Sequence, residues 1–144
     1  MNHFKVSKNE QGLLLEFNSY FINVDRAIEE IVKHIKKESD YGGTFELNVI
    51  LREVFTNAIR HGNQNNPQKK VWVKLFWENG EWQFNIKDEG IGFNPSKEMD
   101  QKSDVLTPHG MGLTIISSLG YDLHYNSRDK SLNLIKENNR NNIK

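Results

Sequence analysis

The hydrophobic pattern of the first forty residues predicts two strands followed by a helix. Residues 3–7 and 11–17 alternate apolar and polar positions around a turn-prone segment at residues 9–12. From Phe21 to about Lys37 the apolar residues recur instead at helical spacing, with charged residues between them. We therefore expect a β-hairpin and then an amphipathic helix that buries one face.

A second helix is predicted from about Thr44 to Arg60, where Thr44 offers half of a capping box. Its wide apolar stripe is formed by Leu47, Ile50, Leu51, Val54, Phe55, Ala58 and Ile59. Gly62 is expected to end the helix in the left-handed conformation, and Pro67 cannot continue it. The width of the stripe predicts that most of this helix is buried.

The middle of the chain predicts a second hairpin. Residues 71–76 and 82–86 alternate apolar and polar side chains, and Asn79 with Gly80 is a two-residue turn signal between them. Residues 94–109 are polar and contain two of the three prolines, so they are expected to form a loop. This loop follows directly on the second hairpin.

The C-terminal part predicts a third helix and a last pair of strands. Residues 111–119 have helical character, and residues 121–126 and 131–136 have strand character. The elements fit one domain over residues 1–137, followed by a disordered tail at 138–144 that is rich in Asn and Lys. We expect a single core, since a chain of 144 residues is the size of one domain.

Composition narrows the classes of partner and compartment. Lys and Arg number 19, as do Asp and Glu, so no net charge would draw the protein onto nucleic acid or an anionic membrane. Cysteine is absent, which fits a reducing compartment and excludes disulfides and thiolate metal sites. The N-terminus has no signal-peptide core, and no apolar run approaches the roughly 18 residues of a membrane span. A cytoplasmic protein is expected.

Three polar residues interrupt the apolar second helix at intervals of four. Glu53, Asn57 and His61 would share one face of an α-helix, because four residues advance only about 40° beyond a full turn. For Glu53 alone, a solvated stripe on a surface helix is the ordinary explanation. The other motifs of the chain decide whether the stripe has a chemical role.

Two glycine-containing segments follow later in the chain. In residues 88–93, Asp88 ends a strand as an acceptor for an exocyclic amine, while Gly90 and Gly92 allow the backbone to approach a ligand. In residues 109–114, glycines precede a helix whose N-terminal amides favour phosphate. Each segment alone is also explained as a simple turn.

Taken together, these three motifs resemble the N, G1 and G2 boxes of the gyrase, heat-shock chaperone and histidine-kinase ATPase superfamily. The resemblance covers roughly residues 20–136. The motif at residues 57–62, the run from Asn57 to Val71 and the compact loop at residues 88–93 are most similar to stand-alone anti-sigma-factor serine/threonine kinases of the RsbW type. It implies a Bergerat-type ATP-binding fold. We therefore predict an α/β two-layer sandwich in which a mixed, mostly antiparallel sheet carries three helices on one face.

The resemblance also implies a role for each matching residue. Glu53 would be the general base, Asn57 would coordinate Mg²⁺ at the phosphates of ATP or ADP, and Asp88 would bind the adenine amine. Gly90 and Gly92 would open the purine pocket. The phosphates would lie under a lid of residues 94–109, against His109, Gly110, Met111, Gly112 and Leu113.

Two departures from the family pattern bear on activity. Pro108 and His109 stand where many members have a basic residue, which Lys97 or Lys102 of the lid would have to replace. The last strand lacks the threonine expected near adenine. Its polar candidates are Ser131 and Asn133.

The implied function is an anti-sigma factor that sequesters a sigma factor and phosphorylates Ser or Thr of a STAS-type anti-anti-sigma protein. Family members commonly form homodimers. No nucleic-acid or membrane partner is expected. The alternative is a nucleotide-gated partner switch that transfers no phosphate, and a third possibility is a structural domain whose glycines are only turns.

Overall fold

The computed structural model describes residues 2–90, 116 and 118–136. The predicted lid at 94–109, most of the predicted helix at 111–119 and the predicted tail at 138–144 therefore lie outside the described residues. No helix within the described part is both long and apolar enough to cross a membrane.

Eight regular elements make up the described chain. They are β1 (Phe4–Asn9), β2 (Gly12–Asn18), α1 (Phe21–Glu38), α2 (Thr44–Asn57), β3 (Lys70–Glu78), β4 (Glu81–Asp88), β5 (Tyr121–Asn126) and β6 (Ser131–Lys136). A π-helical turn, Ala58–Gly62, continues α2. These bounds confirm the two predicted hairpins, the predicted last pair of strands and the first two predicted helices to within a few residues.

The strands form one six-stranded sheet in the order β1-β2-β3-β4-β6-β5. Every neighbouring pair is antiparallel, so the expectation of a mixed sheet is wrong for the described strands. The connection between β2 and β3 contains both helices. Because β3 pairs with β2 in antiparallel orientation, this connection starts and finishes at the same end of the sheet.

The predicted third helix is only partly described. Ile116 and Ser118 are helical, and Ile116 is buried in the core, but two residues do not establish a helix against the sheet. The described fold is thus an α+β arrangement of two helices and a six-stranded sheet. Its remaining helix stays a prediction.

The hydrophobic core lies between one face of the sheet and the two helices. Each strand turns every second side chain toward the helices, as strand geometry requires. The largest fully buried side chains include Phe17 of β2, Phe55 of α2 and Phe84 of β4. The core holds both helices over the same sheet face, which places the C-terminal end of α2 above the end of β4.

The end of α2 differs from the prediction. The α-helix ends at Asn57, and the π-helical turn that follows is closed by the Asn63 amide, which donates to the Ala58 carbonyl at 2.8 Å. Gly62 does not take the left-handed conformation, which Gln64 and Asn65 adopt instead. Gly62 is needed for a different reason, its close contact with β4.

Candidate functional site

A buried amide and a carboxylate are paired at the end of α2. The Asn57 side chain is 1% exposed, and its Nδ2 donates to Oε2 of Glu53, one helical turn earlier, at 3.2 Å. Its Oδ1 is also buried but has no hydrogen-bond partner in the described part of the chain. A buried acceptor without a partner costs free energy, so this oxygen is suited to a ligand that supplies a positive charge.

The third polar residue of the stripe is positioned differently from the prediction. His61 lies in the π-helical turn, where hydrogen bonds span one more residue than in an α-helix. The four-residue α-helical spacing therefore holds from Glu53 to Asn57 but not from Asn57 to His61. Single π-helical turns occur frequently at functional sites, which agrees with the location of this one.

Asp88 ends β4 on the face that carries the helices. Ile86 points into the core, and the next side chain on the same face is Asp88, which is 7% exposed. The Gly90 amide donates to its Oδ1 at 2.9 Å. This bond orients the carboxylate, so the sequence prediction of an acceptor at the end of this strand agrees with the geometry.

Two glycines let the π-helical turn and the β4 end approach each other. A Cβ on Gly62 would overlap the Asp88 carboxylate, with 2.8 Å to its Oδ1. A Cβ on Gly90 would overlap the Gly62 carbonyl oxygen and lie 2.6 Å from its carbon. Both positions therefore require glycine for close approach of backbone rather than for an unusual φ angle.

A narrow crevice opens between α2 and the strand ends beside Asp88. It is lined by Val54, Ala58, Ile86, Asp88, Tyr125, Lys130 and Leu132. Asn57 does not line this crevice itself, but Ala58 follows it directly in the chain. Its walls are apolar with a carboxylate at one end, but its free volume is about 10 Å³, the room of a single water, so a heterocycle would fit only if the walls moved apart. A wider groove between residues 9–14 and 74–78 lies at the other end of β2 and β3, remote from this carboxylate.

The sequence analysis missed Tyr125 and Lys130. Burial, with the negative charges of Asp88 and Asp129, raises the pKa of the Tyr125 hydroxyl, which keeps it a neutral hydrogen-bond donor. Strand alternation could have identified Tyr125, which is paired with the buried Leu132. Lys130 lies in the turn before β6 with a φ of 60°, so strand alternation does not place it.

Ser131 and Asn133 lie on the other face of the sheet. Their register partners on β4 are Lys87 and Asn85, whereas Leu132 is paired with Ile86 on the helix side. The Asn85 amide donates to Ser131 Oγ at 3.0 Å and to Asn133 Oδ1 at 2.9 Å. Alternation along β6 thus rules out the expectation that either residue replaces a threonine beside the purine.

A hard cation fits the oxygen ligands at the end of α2. Mg²⁺ takes one or two protein oxygens and keeps water or phosphate oxygens in its other positions. The Asn57 Oδ1 is such an oxygen. Because it has no hydrogen-bond partner among the described residues, it is the candidate Mg²⁺ ligand. Glu53 adds a negative charge next to it.

The remaining predicted contacts cannot be compared with the structure. Gly92, His109, Gly110, Met111, Gly112 and Leu113 lie outside the described residues, as do Lys97 and Lys102. The described site therefore comprises the carboxylate and amide of α2, the acceptor at the end of β4 and the crevice beside that acceptor.

Comparisons with known proteins identify the family of this chain. The family described as "Histidine kinase-like ATPase domain" matches residues 21–136. The anti-sigma F factor of Oceanobacillus iheyensis is 27% identical over 117 residues, which is 78% of this chain and 71% of that protein. That of Shouchella clausii is 27% identical over 122 residues, 82% of this chain and 75% of that protein. For the Bacillus subtilis anti-sigma F factor the identity is 26% over 126 residues, 85% of this chain and 77% of that protein.

The family match begins at the first residue of α1 and ends at the last residue of β6, so it contains every site residue described above. The chain therefore belongs to the histidine kinase-like ATPase family, and it resembles anti-sigma F factors over most of its length.

Proposed function

We propose that this protein is an ATP-dependent anti-sigma factor of the cytoplasm that phosphorylates a Ser or Thr of its antagonist. The observation that carries the proposal is the buried, unpartnered Oδ1 of Asn57 beside the Glu53 carboxylate. A buried acceptor without a protein partner is costly in a purely structural helix, and a bound Mg²⁺ would satisfy it. The anti-sigma role is taken from the names of the relatives.

The residues of the crevice would bind and orient the nucleotide. Asp88 would accept a hydrogen bond from the adenine amine, and the apolar walls of Val54 and Leu132 would move apart to hold the ring. Asn57 holds the Mg²⁺, which neutralises phosphate charge when bound. Asp88 would thus recognise the base, and Asn57 would recognise the phosphates through the Mg²⁺.

Glu53 is the candidate general base. In the proposed step, the hydroxyl oxygen of the antagonist forms a bond to the γ-phosphorus, the bond from that phosphorus to the ADP oxygen breaks, and Glu53 accepts the hydroxyl proton. Glu53 is only half-buried, so a protein substrate can reach it. Its hydrogen bond from Asn57 fixes the carboxylate next to the proposed metal ligand.

The proposed partners are a sigma factor and a STAS-type anti-anti-sigma protein, with a homodimer as the proposed assembly. The unphosphorylated antagonist would compete with the sigma factor for this protein and so release the sigma factor. Phosphorylation would release the antagonist. The supports are the similarity to anti-sigma F factors and the sequence resemblance given above.

Two measurements test nucleotide binding and transfer. Thermal unfolding with Mg-ATP at 100 times its Kd is expected to show a stabilisation of about 2.7 kcal/mol, since the ligand binds the folded state only. Labelled ATP should then transfer phosphate to the antagonist. A lack of any thermal shift at saturating nucleotide would refute the binding, and a shift without transfer would refute only the kinase activity.

Replacing Asn57 by leucine should separate stability from binding. The change removes a buried acceptor without a partner, so the free energy of unfolding without nucleotide is expected to rise by about 1 kcal/mol. The thermal shift with Mg-ATP should disappear. Chemical denaturation and thermal scans measure the two effects.

The matched control is Asn48→Leu, the same substitution at a half-buried position earlier in α2. It should keep the full response to Mg-ATP. If Asn57→Leu binds Mg-ATP as well as the wild type does, Asn57 has no role at the metal and the proposed site is wrong.

A further inference from the structure

Asn63 joins the three segments that meet below the nucleotide crevice. The side chain is fully buried. Its Nδ2 donates to the Ser19 hydroxyl at 2.8 Å and to the Lys70 carbonyl at 2.9 Å. Its Oδ1 accepts from the Glu89 amide at 2.8 Å. Every hydrogen-bonding atom of this amide is therefore used.

The hydrogen bond from the Glu89 amide to Asn63 holds the residue that directly follows Asp88 in the chain. Beyond the last register pair of β3 and β4, Val71 with Asp88, the sheet provides no further ladder bond. The two chain ends are held instead by Asn63 and by Glu89, whose Oε2 accepts from the Lys70 amide at 2.7 Å. Asn63 thus fixes the backbone where the strand turns into the loop that follows.

The same residue fixes the neighbouring glycine contact. Gly62 immediately precedes Asn63, and its Cα and carbonyl pack against the Asp88 carboxylate and Gly90. A shift of Asn63 would carry Gly62 with it and open this contact. The orientation of the carboxylate therefore depends on an amide that lies outside the crevice.

We propose that Asn63 is a positioning residue that gives the site its selectivity for a purine with an exocyclic 6-amino group. The proposal rests on the proposed nucleotide-binding function and concerns the same crevice. Asn63 does not touch the base. It holds Glu89 and Gly62 so that the Asp88 carboxylate faces the amine, and that carboxylate repels the carbonyl oxygen of a 6-oxopurine.

The direct test compares binding of ATP with binding of inosine triphosphate, which carries an oxygen in place of the 6-amine. A hydrogen bond to a charged group corresponds to a preference of roughly 10- to 100-fold for ATP in the wild type. Asn63→Leu removes the Glu89 bond and should reduce this preference to within about threefold. Calorimetric titration of both nucleotides with Mg²⁺ gives the ratio.

A purely structural role predicts a different result. Asn23 is equally buried, and its Nδ2 donates to the Asn18 carbonyl away from Asp88. Asn23→Leu should therefore lower the stability of the protein but keep the ratio of the two Kd values. A milder variant, Ser19→Ala, removes one partner of Asn63 and should reduce the ratio by about two- to threefold without preventing folding.

The outcomes separate the two proposals. Failure of the wild type to bind any nucleotide would reject the proposed function and this inference together. Nucleotide binding without preference for ATP would overturn the inference alone. The inference would also be overturned if Asn63→Leu kept the preference of the wild type for ATP. If Asn63→Leu does not fold, an unchanged preference in Ser19→Ala would overturn it instead.

Discussion

Glu53→Gln is expected to reduce phosphate transfer to the antagonist by about 10²- to 10⁴-fold while the Kd for Mg-ATP stays within about threefold of the wild type. Glutamine keeps the shape of the side chain and can still pair with the Asn57 amide, but it cannot accept a proton. The carboxylate is half-buried at the surface of α2, so the substitution leaves no buried charge unpaired. Single-turnover transfer from labelled ATP measures the rate.

Glu46→Gln, an exposed position in the first turn of the same helix, is the control and should transfer phosphate at the wild-type rate. The unphosphorylated antagonist should still displace the sigma factor from Glu53→Gln, but the variant should not bind the sigma factor again, because only phosphorylation releases the antagonist. Rebinding of the sigma factor by Glu53→Gln at the wild-type rate, with ATP and antagonist present, would contradict the kinase proposal. That outcome would favour the nucleotide-gated switch that transfers no phosphate.

Gly90→Ala is expected to weaken Mg-ATP binding by at least about tenfold and to cost about 1–3 kcal/mol of stability. The new methyl group would overlap the Gly62 carbonyl oxygen, so one of the two backbones must shift. Either shift displaces Asp88, whose Oδ1 accepts from the Gly90 amide. Calorimetric titration and chemical denaturation measure the two effects.

Gly42→Ala provides a matched control, because a Cβ at that position meets no atom within 4 Å. It should change neither stability nor nucleotide affinity appreciably. Wild-type affinity in Gly90→Ala would mean that the π-helical turn and the end of β4 can separate without harm. The close approach of these backbones would then have no role in binding.

Local patterns in the sequence were sufficient to predict most of the elements. The alternation in β3 and β4 and the Asn79-Gly80 turn identified a hairpin whose turn residues both have positive φ, at 57° and 80°. These signals depend on residues that are close in sequence. Asp88 was also predicted from local sequence, since it stands at the end of the second hairpin and is followed by Gly90 and Gly92.

The parts that could not be predicted depend on contacts between distant segments. The role of Gly62 results from packing against residue 88, and that of Asn63 from bonds to residues 19, 70 and 89. Neither is visible in local periodicity. The prediction that Ser131 or Asn133 lies beside the purine failed for a simpler reason. Leu132 faces the helices, so its two neighbours in β6 must point to the other face of the sheet, and the prediction did not take this alternation into account.

The position of β6 has a consequence for how the protein is made. This strand, residues 131–136, pairs with β4 and separates it from β5, although it follows β5 and is the last of the described strands. During translation β4 therefore keeps one open edge until residues 131–136 have left the ribosome. Leu132, a wall of the crevice beside Asp88, arrives with that strand. Nascent chains stalled before residue 131 should consequently fail to retain nucleotide, and their exposed edge is a site for a chaperone.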